Sequence, residues 1–195
     1  MRVSSTEPMI ADVLAPAAAK LLASCPAIRL ELETSRELSN LNRGDADIAV
    51  RMVRPEGDTL ATRRLARIEM GLFASRQYLR QRRLETIDLE AERLVWYDAA
   101  YGDISENIWL RRSGLEAQVV ARSGSTRALT NAAVEGLGIA PLPVFLARRA
   151  SLVQLPAFDL PSRTPWLVFH RDTRRDPRLK AVRNWVVETC EAAFA

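Results

Sequence analysis

The sequence has 195 residues but only two cysteines, one histidine and two lysines, Lys20 and Lys180. Cys25 and Cys190 lie near opposite ends, form no Cys-x-x-Cys pair and have no histidine cluster beside them. They read as two reduced thiols of a cytosolic protein, not as a disulfide framework or a zinc site. The single histidine, His170, has no Gly-x-Ser-x-Gly elbow to serve, so a Ser-His-acid hydrolase lacks its nucleophile. No window approaches eighteen uncharged apolar residues, which excludes a membrane-spanning helix. The opening MRVSSTEPM has no basic start followed by an apolar run, so no secretion signal is expected. Aromatic residues make up only 6%. The net charge of +4 is carried almost wholly by arginine. Its densest clusters, Arg63-Arg64-Arg67, Arg80-Arg82-Arg83 and Arg171-Arg174-Arg175, are not interleaved with aromatics and are scattered among acids. They read as solvated faces and not as a nucleic-acid stripe.

Short strands and helices alternate, and this implies parallel sheets covered by helices. Residues 1–5 read as a strand. Thr6-Glu7-Pro8 opens a helix with a hydroxyl, an acid and a proline in its first turn. Ile10, Val13, Leu14, Ala17, Leu21 and Leu22 then recur at helical spacing until Cys25-Pro26. Ile28, Leu30 and Leu32 alternate with Arg29, Glu31 and Glu33, a strand with one wet face that carries both glutamates. A short helix is expected at 37–43, closed by Gly44, then a buried strand at 47–50 and an extended stretch at 62–74. A helix at 77–83, a strand at 94–97 and a loop at 98–105 follow. Next come a helix at 106–112, a strand at 118–121, a helix at 127–135 ending on Gly136, a strand at 138–142 and a short helix at 143–149. A strand at 166–169 and a long helix at 177–194 close the chain. Gly136-x-Gly138 lacks the third glycine of a dinucleotide loop and follows a helix, so it reads as a C-cap and a tight turn.

Four stretches, in order, resemble the effector-binding domain of LysR-type transcription regulators. They are the opening strand, polar turn and Ala/Leu-rich helix ending in CPAIRLEL; LNRGDADIAVR at 41–51; AAVEGLGIAPLP at 132–143; and WLVFHRDTRRDPRLKAV at 166–182. Each motif is weak alone. Together they span nearly the whole chain. The resemblance implies an α/β, two-lobed fold like a type 2 periplasmic binding protein, each lobe a mostly parallel sheet flanked by helices, joined by two crossover strands. Lobe I is expected at 1–72 plus 166–195 and lobe II at 75–163, with the hinge near 70–75 and 164–168. A complete family member begins with a winged helix-turn-helix. This sequence starts at the sensor's first strand, so it is expected to reach DNA only through a domain it does not contain.

The resemblance also implies a small-molecule effector between the lobes, with no cofactor, no metal and no catalytic residue. In sheets of this kind ligands lie at strand carboxyl ends against helix N-termini. Two such starts stand out, Ser5-Thr6-Glu7-Pro8 and Ser123-Gly124-Ser125-Thr126. The resemblance adds Thr34 and Ser35, Arg51 and Met52, and the loop residues Tyr101, Gly102 and Asp103. Simple capping is the competing reading for each hydroxyl, and a surface ion pair for Arg51. Arg51 suggests a small organic acid, whereas Glu7 suggests an amine or hydroxyl on the ligand. Asp45-x-Asp47 has no clustered partners for a metal. The family pairs its sensor domains antiparallel, which here implies a homodimer through helix 7–24 and helix 126–136, with Ala15 to Ala19 and Ala128, Ala132 and Ala133 permitting close approach. Those alanines could equally face their own sheets. The alternative function is the solute-binding protein of a transport system, which shares the lobed fold and would need a secretion signal.

Overall fold

The structure is a computed structural model and describes residues 1–35, 46–56 and 58–195. The chain divides into two compact units, Met1–Arg67 with Thr164–Ala195, and Ile68–Arg163. The short helix expected at 37–43 lies outside the described residues.

The first unit is built on a five-stranded sheet in the order β2-β1-β3-β10-β4. Its strands are β1 (Arg2–Ser5), β2 (Glu31–Thr34), β3 (Ile48–Arg51), β4 (Leu60–Arg64) and β10 (Trp166–His170). β2 starts three residues later than the alternation from Ile28 predicts. Its first paired residue, Glu31, lies opposite Arg2, where β1 itself begins, so earlier residues have no strand to pair with. After β1 the chain enters a π-helical stretch, Met9–Leu14, and continues as helix α1 (Ala15–Ser24). The π register, with the Ala15 amide on the Ile10 carbonyl, is a rare local widening. Pro16 stands at the junction and has no N–H to offer a regular helical bond.

The C-terminal helix α6 (Pro177–Phe194) occupies the span its apolar stripe predicts. The Asp176 carboxylate accepts from the Arg178 and Leu179 amides at 2.8 and 3.4 Å, and Pro177 fills the first turn. Leu179, Val182, Trp185 and Val186 face the core, and the Trp185 indole N–H donates to the Ala17 carbonyl at 3.1 Å. This bond ties the helix to α1.

The second unit holds an antiparallel sheet, β8-β5-β9, and a parallel pair, β6-β7. Its strands are β5 (Met70–Ala74), β6 (Leu94–Tyr97), β7 (Val119–Ser123), β8 (Ala140–Pro143) and β9 (Val153–Asp159). Its helices are α2 (Arg76–Leu79), α3 (Ser105–Arg112), α4 (Thr126–Val134) and α5 (Val144–Arg149). Strand β9 is absent from the sequence reading. It contains Pro156, which argues against a central strand and is tolerated here because β9 lies at the edge of its sheet. Gly136 ends α4 at φ +74°, as expected of a C-cap. Gly138 is required for space: a Cβ there would lie 2.4 Å from the Arg93 carbonyl oxygen.

The α/β class holds, but the sheets are more mixed than the expected mostly parallel arrangement. β1 pairs parallel with β2 and β3, whereas β10 runs antiparallel to both β3 and β4. The cause is the return of the chain. The outgoing segment after β4 and the incoming one before β10 run side by side, with the Leu65 amide on the Pro165 carbonyl and Ile68 bridged to Arg163.

Candidate functional site

In the first unit, the carboxyl ends of three neighbouring strands bring together Ser5, Thr34, Ser35 and Arg51. Ser5 and Thr34 are register partners, and the Ser35 amide donates to the Ser5 carbonyl at 2.8 Å. Ser5 is fully buried and its hydroxyl donates to the Val50 carbonyl at 3.0 Å, tying β1 to β3. Thr34 is exposed; Thr6, Glu7, Ser35 and Met52 are half-buried. Arg51 is only 3% exposed. Its guanidinium donates to the Ser4 carbonyl at 2.9 Å and the Ser4 hydroxyl at 3.0 Å. Burial lowers the Arg51 pKa, and the nearby Glu33 carboxylate opposes that shift.

Glu33 corrects the sequence reading. Glu31 is a solvated residue paired with Arg2 at 3.0 Å, as its wet-face position predicts. Glu33 is half-buried and its Oε2 is enclosed without a hydrogen-bond partner among the described residues. The alternation of Ile28, Leu30 and Leu32 concealed this, because β2 begins only at Glu31. Ser4 was also missed. It sits one residue before the expected helix start, and only the approach of Arg51 from β3 gives its hydroxyl a role.

In the second unit, Tyr97 ends β6 opposite Ser123, which ends β7. The Tyr97 side chain is wholly buried, its hydroxyl lies 3.2 Å from Thr126 Oγ1, and its ring is 4.7 Å from that of Tyr101. Burial pushes the Tyr97 phenol up to about 12, against the pull of Arg163. The Arg163 guanidinium lies 5.3 Å from that ring and its Nε donates to Glu106 Oε1 at 2.8 Å. Burial works against the Arg163 charge, but Tyr97 and Glu106 together outweigh it and raise its pKa.

Ser125 caps α4, accepting from the Ala128 amide at 3.3 Å, and the Ser123 hydroxyl accepts from the Ser125 amide at 3.1 Å. Gly124 lies half-buried between them. These serines therefore carry out the capping that competed with a ligand role. Gly102 turns at φ +63° and its carbonyl accepts from the Asn107 side-chain Nδ2 at 2.9 Å, while Asp103 is exposed and paired with Arg111 at 2.5 Å. A cavity of about 340 Å³ opens here, lined by Gly102, Asp103, Asn107, Arg111 and Arg122 among others. Tyr97, Glu106 and Arg163 escaped sequence reasoning because each is an ordinary residue of its own element, and only packing joins them to Thr126 of the polar helix start. Among the described residues no group of three or more His, Cys, Asp or Glu could hold a metal.

Two α/β units joined by paired crossing segments, with hydroxyls and an arginine at strand carboxyl ends, define a two-lobed, type 2 periplasmic-binding-protein-like domain. The regulatory domain of CrgA from Neisseria meningitidis has this fold: TM-score 0.77, 23% identity, 97% of this chain and 98% of that one covered. So has the effector domain of AmpR of Pseudomonas aeruginosa: TM-score 0.78, 19% identity, 98% and 96% covered. The family model of the LysR substrate binding domain matches residues 1–191, and the chain belongs to that family. It is 28% identical over 197 residues to the Mau operon transcriptional activator of Paracoccus denitrificans, covering 96% of this chain and 64% of that protein. It is 26% identical over 203 residues to an HTH-type transcriptional repressor of Pseudomonas aeruginosa, covering 96% and 63%. The chain thus spans somewhat less than two thirds of these relatives' lengths. Family and relatives identify an effector-sensing domain of a transcription regulator and set the transport alternative aside. Among the described residues no helix is long and apolar enough to cross a membrane.

Proposed function

We propose that the chain senses a small organic acid through Arg51 and the strand-end hydroxyls around it, and that in a longer cytoplasmic protein this binding governs attached DNA-binding domains. The chain performs no chemical step; it acts through the ligand's differential affinity for two conformations. The observation that carries the reading is the Arg51 guanidinium, buried against Ser4 at the ends of β1 and β3 with its charge opposed by burial. A carboxylate offsets that opposition. Glu33, enclosed on the same sheet, favours an acid that also carries a hydroxyl or amine donor. Tyr101, Gly102, Asp103 and the Ser123–Ser125 turn are proposed as the second unit's contribution.

A thermal-shift screen against small carboxylates, amino acids, aromatic acids and sugars tests this. A ligand at about a hundred times its Kd adds roughly 2.7 kcal/mol, a rise of about 5–10 °C for a chain of this size. The expected hit is a hydroxy or amino acid whose shift disappears in Arg51→Ala and shrinks in Thr34→Ala. A neutral sugar that shifts Arg51→Ala as strongly as the parent would refute the acid reading.

The partner is a second copy of the chain. Ala15, Ala19 and Leu22 on α1 and Ala128 and Val134 on α4 are exposed, whereas Ala133 faces its own core. These helices therefore offer small-residue faces for pairing between copies. Sedimentation velocity at micromolar concentration is expected to give a dimer that Ala19→Arg dissociates; a parent chain that stays monomeric removes the interface.

A further inference from the structure

Members of two of the three arginine clusters, Arg63 and the pair Arg171 and Arg174, meet in the first unit. Among the described residues, Arg54, Arg63, Arg171, Arg174, Lys180 and Arg183 line one groove together with two acids, Glu56 and Asp58. The groove's net +4 equals that of the whole chain. Among the described residues none of the six is ion-paired to a carboxylate. Several are instead held by neutral groups. The Arg183 guanidinium stacks 4.2 Å from the Phe169 ring and donates to the Arg174 carbonyl at 3.0 Å, Arg54 lies 5.3 Å from the Trp166 ring, and Arg171 Nε donates to the Leu60 carbonyl at 3.1 Å. Charges ordered this way lose little further freedom when an anion arrives.

The shape of the groove says what kind of anion fits. Its volume, about 1120 Å³, exceeds the ~300–1,000 Å³ of ordinary small-ligand pockets. From β10 it takes alternate residues, Leu167 and Phe169, which share one face of the sheet. From β4 it takes four consecutive residues, Leu60 to Arg63, whose side chains alternate between faces. The groove therefore follows the backbone edge of β4. That edge is the end of the sheet, and among the described residues no strand pairs with it. The Arg171 amide bonds the Thr59 carbonyl and the Leu65 amide bonds the Pro165 carbonyl, so odd-numbered residues face β10. Thr62 and Arg64 turn their N–H and C=O outward. Such an edge is a template for an added strand, and a sugar-phosphate backbone cannot supply one.

We propose that this groove takes an acidic, extended segment of a partner protein, which pairs as a strand with the outer edge of β4 while its carboxylates meet the six cations. Fluorescence anisotropy of the whole chain with a short labelled peptide alternating Glu and Val is the test. The same peptide with Lys for Glu and a short labelled DNA duplex serve as comparisons. The Glu peptide is expected to bind about tenfold or more tighter than either. The Arg174→Glu/Lys180→Glu variant, at exposed positions, is expected to lose at least that factor. Thr62→Pro deletes an outward N–H without removing a ladder bond and is expected to lose a similar factor with the charge intact. In the parent chain, the Thr62 and Arg64 amides are expected to gain hydrogen-exchange protection when the Glu peptide is added. Tighter binding of the duplex, equal binding of the two peptides, no binding, or binding without protection of those amides would each overturn the proposal.

Discussion

Arg163→Met is expected to destabilise the second unit by about 3–5 kcal/mol, the cost of breaking a buried ion pair from one side. Glu106 is wholly buried and the Arg163 side chain is 16% exposed, and their 2.8 Å contact is reinforced by the Tyr97 ring 5.3 Å from the guanidinium. Removing the cation leaves the Glu106 carboxyl in the core with, among the described residues, the Ser105 hydroxyl 3.2 Å from its Oε2. For a chain of this length the melting temperature should fall by roughly 6–20 °C. Arg163→Lys keeps the charge but loses the guanidinium over the Tyr97 ring, and is expected to recover only part of the loss. The double variant Arg163→Met/Glu106→Leu removes both charges and should be far more stable than the sum of its single changes. Calorimetry of the four proteins measures the coupling. Additive single and double effects would show that the pair contributes nothing as a pair.

Trp96→Ala is expected to cost about 3–5 kcal/mol, as truncations of large buried aromatics do. The ring has no exposure, sits in the middle of β6 and stacks on Trp109 with centroids 5.8 Å apart and planes 14° from parallel. The contrast with Trp96→Phe is the sharper test. The Trp96 indole N–H is buried with no hydrogen-bond partner among the described residues, and an unmet buried donor costs about 1–3 kcal/mol. Phenylalanine loses part of the ring but also that penalty, so its net cost should stay within about 1.5 kcal/mol. Urea denaturation reads both. A Trp96→Phe midpoint as low as that of Trp96→Ala would mean that the indole N–H is satisfied in solution.

The elements that local rules govern were readable in the residues. The helix at 177–194 carries its cap, its first-turn proline and its apolar stripe within its own span. Gly136 announces a positive φ and Ser125 a cap. Where reading failed, a distant partner decided. β2 could not begin before β1 did, β9 kept its proline because it lies at a sheet edge, and the π stretch ahead of α1 left the apolar period almost unchanged. The candidate site divides the same way. Ser5 was singled out at a strand end that the residues locate, and Thr34, Ser35 and Arg51 through the family resemblance. Ser4, Glu33, Glu106 and Arg163 were not, because their environments come from other elements.

By itself the sequence determined the α/β class, the family and the strand ends where polar residues gather, since periodicity, caps and ordered motifs are local or nearly so. Tertiary structure alone decided that Arg51 is buried against Ser4, that Arg163 and Glu106 form an enclosed pair, and that arginines far apart in the chain share one groove. The physical reason is that burial and charge proximity depend on which elements become neighbours. In a sheet ordered β2-β1-β3-β10-β4, strands β4 and β10 become neighbours across more than a hundred intervening residues.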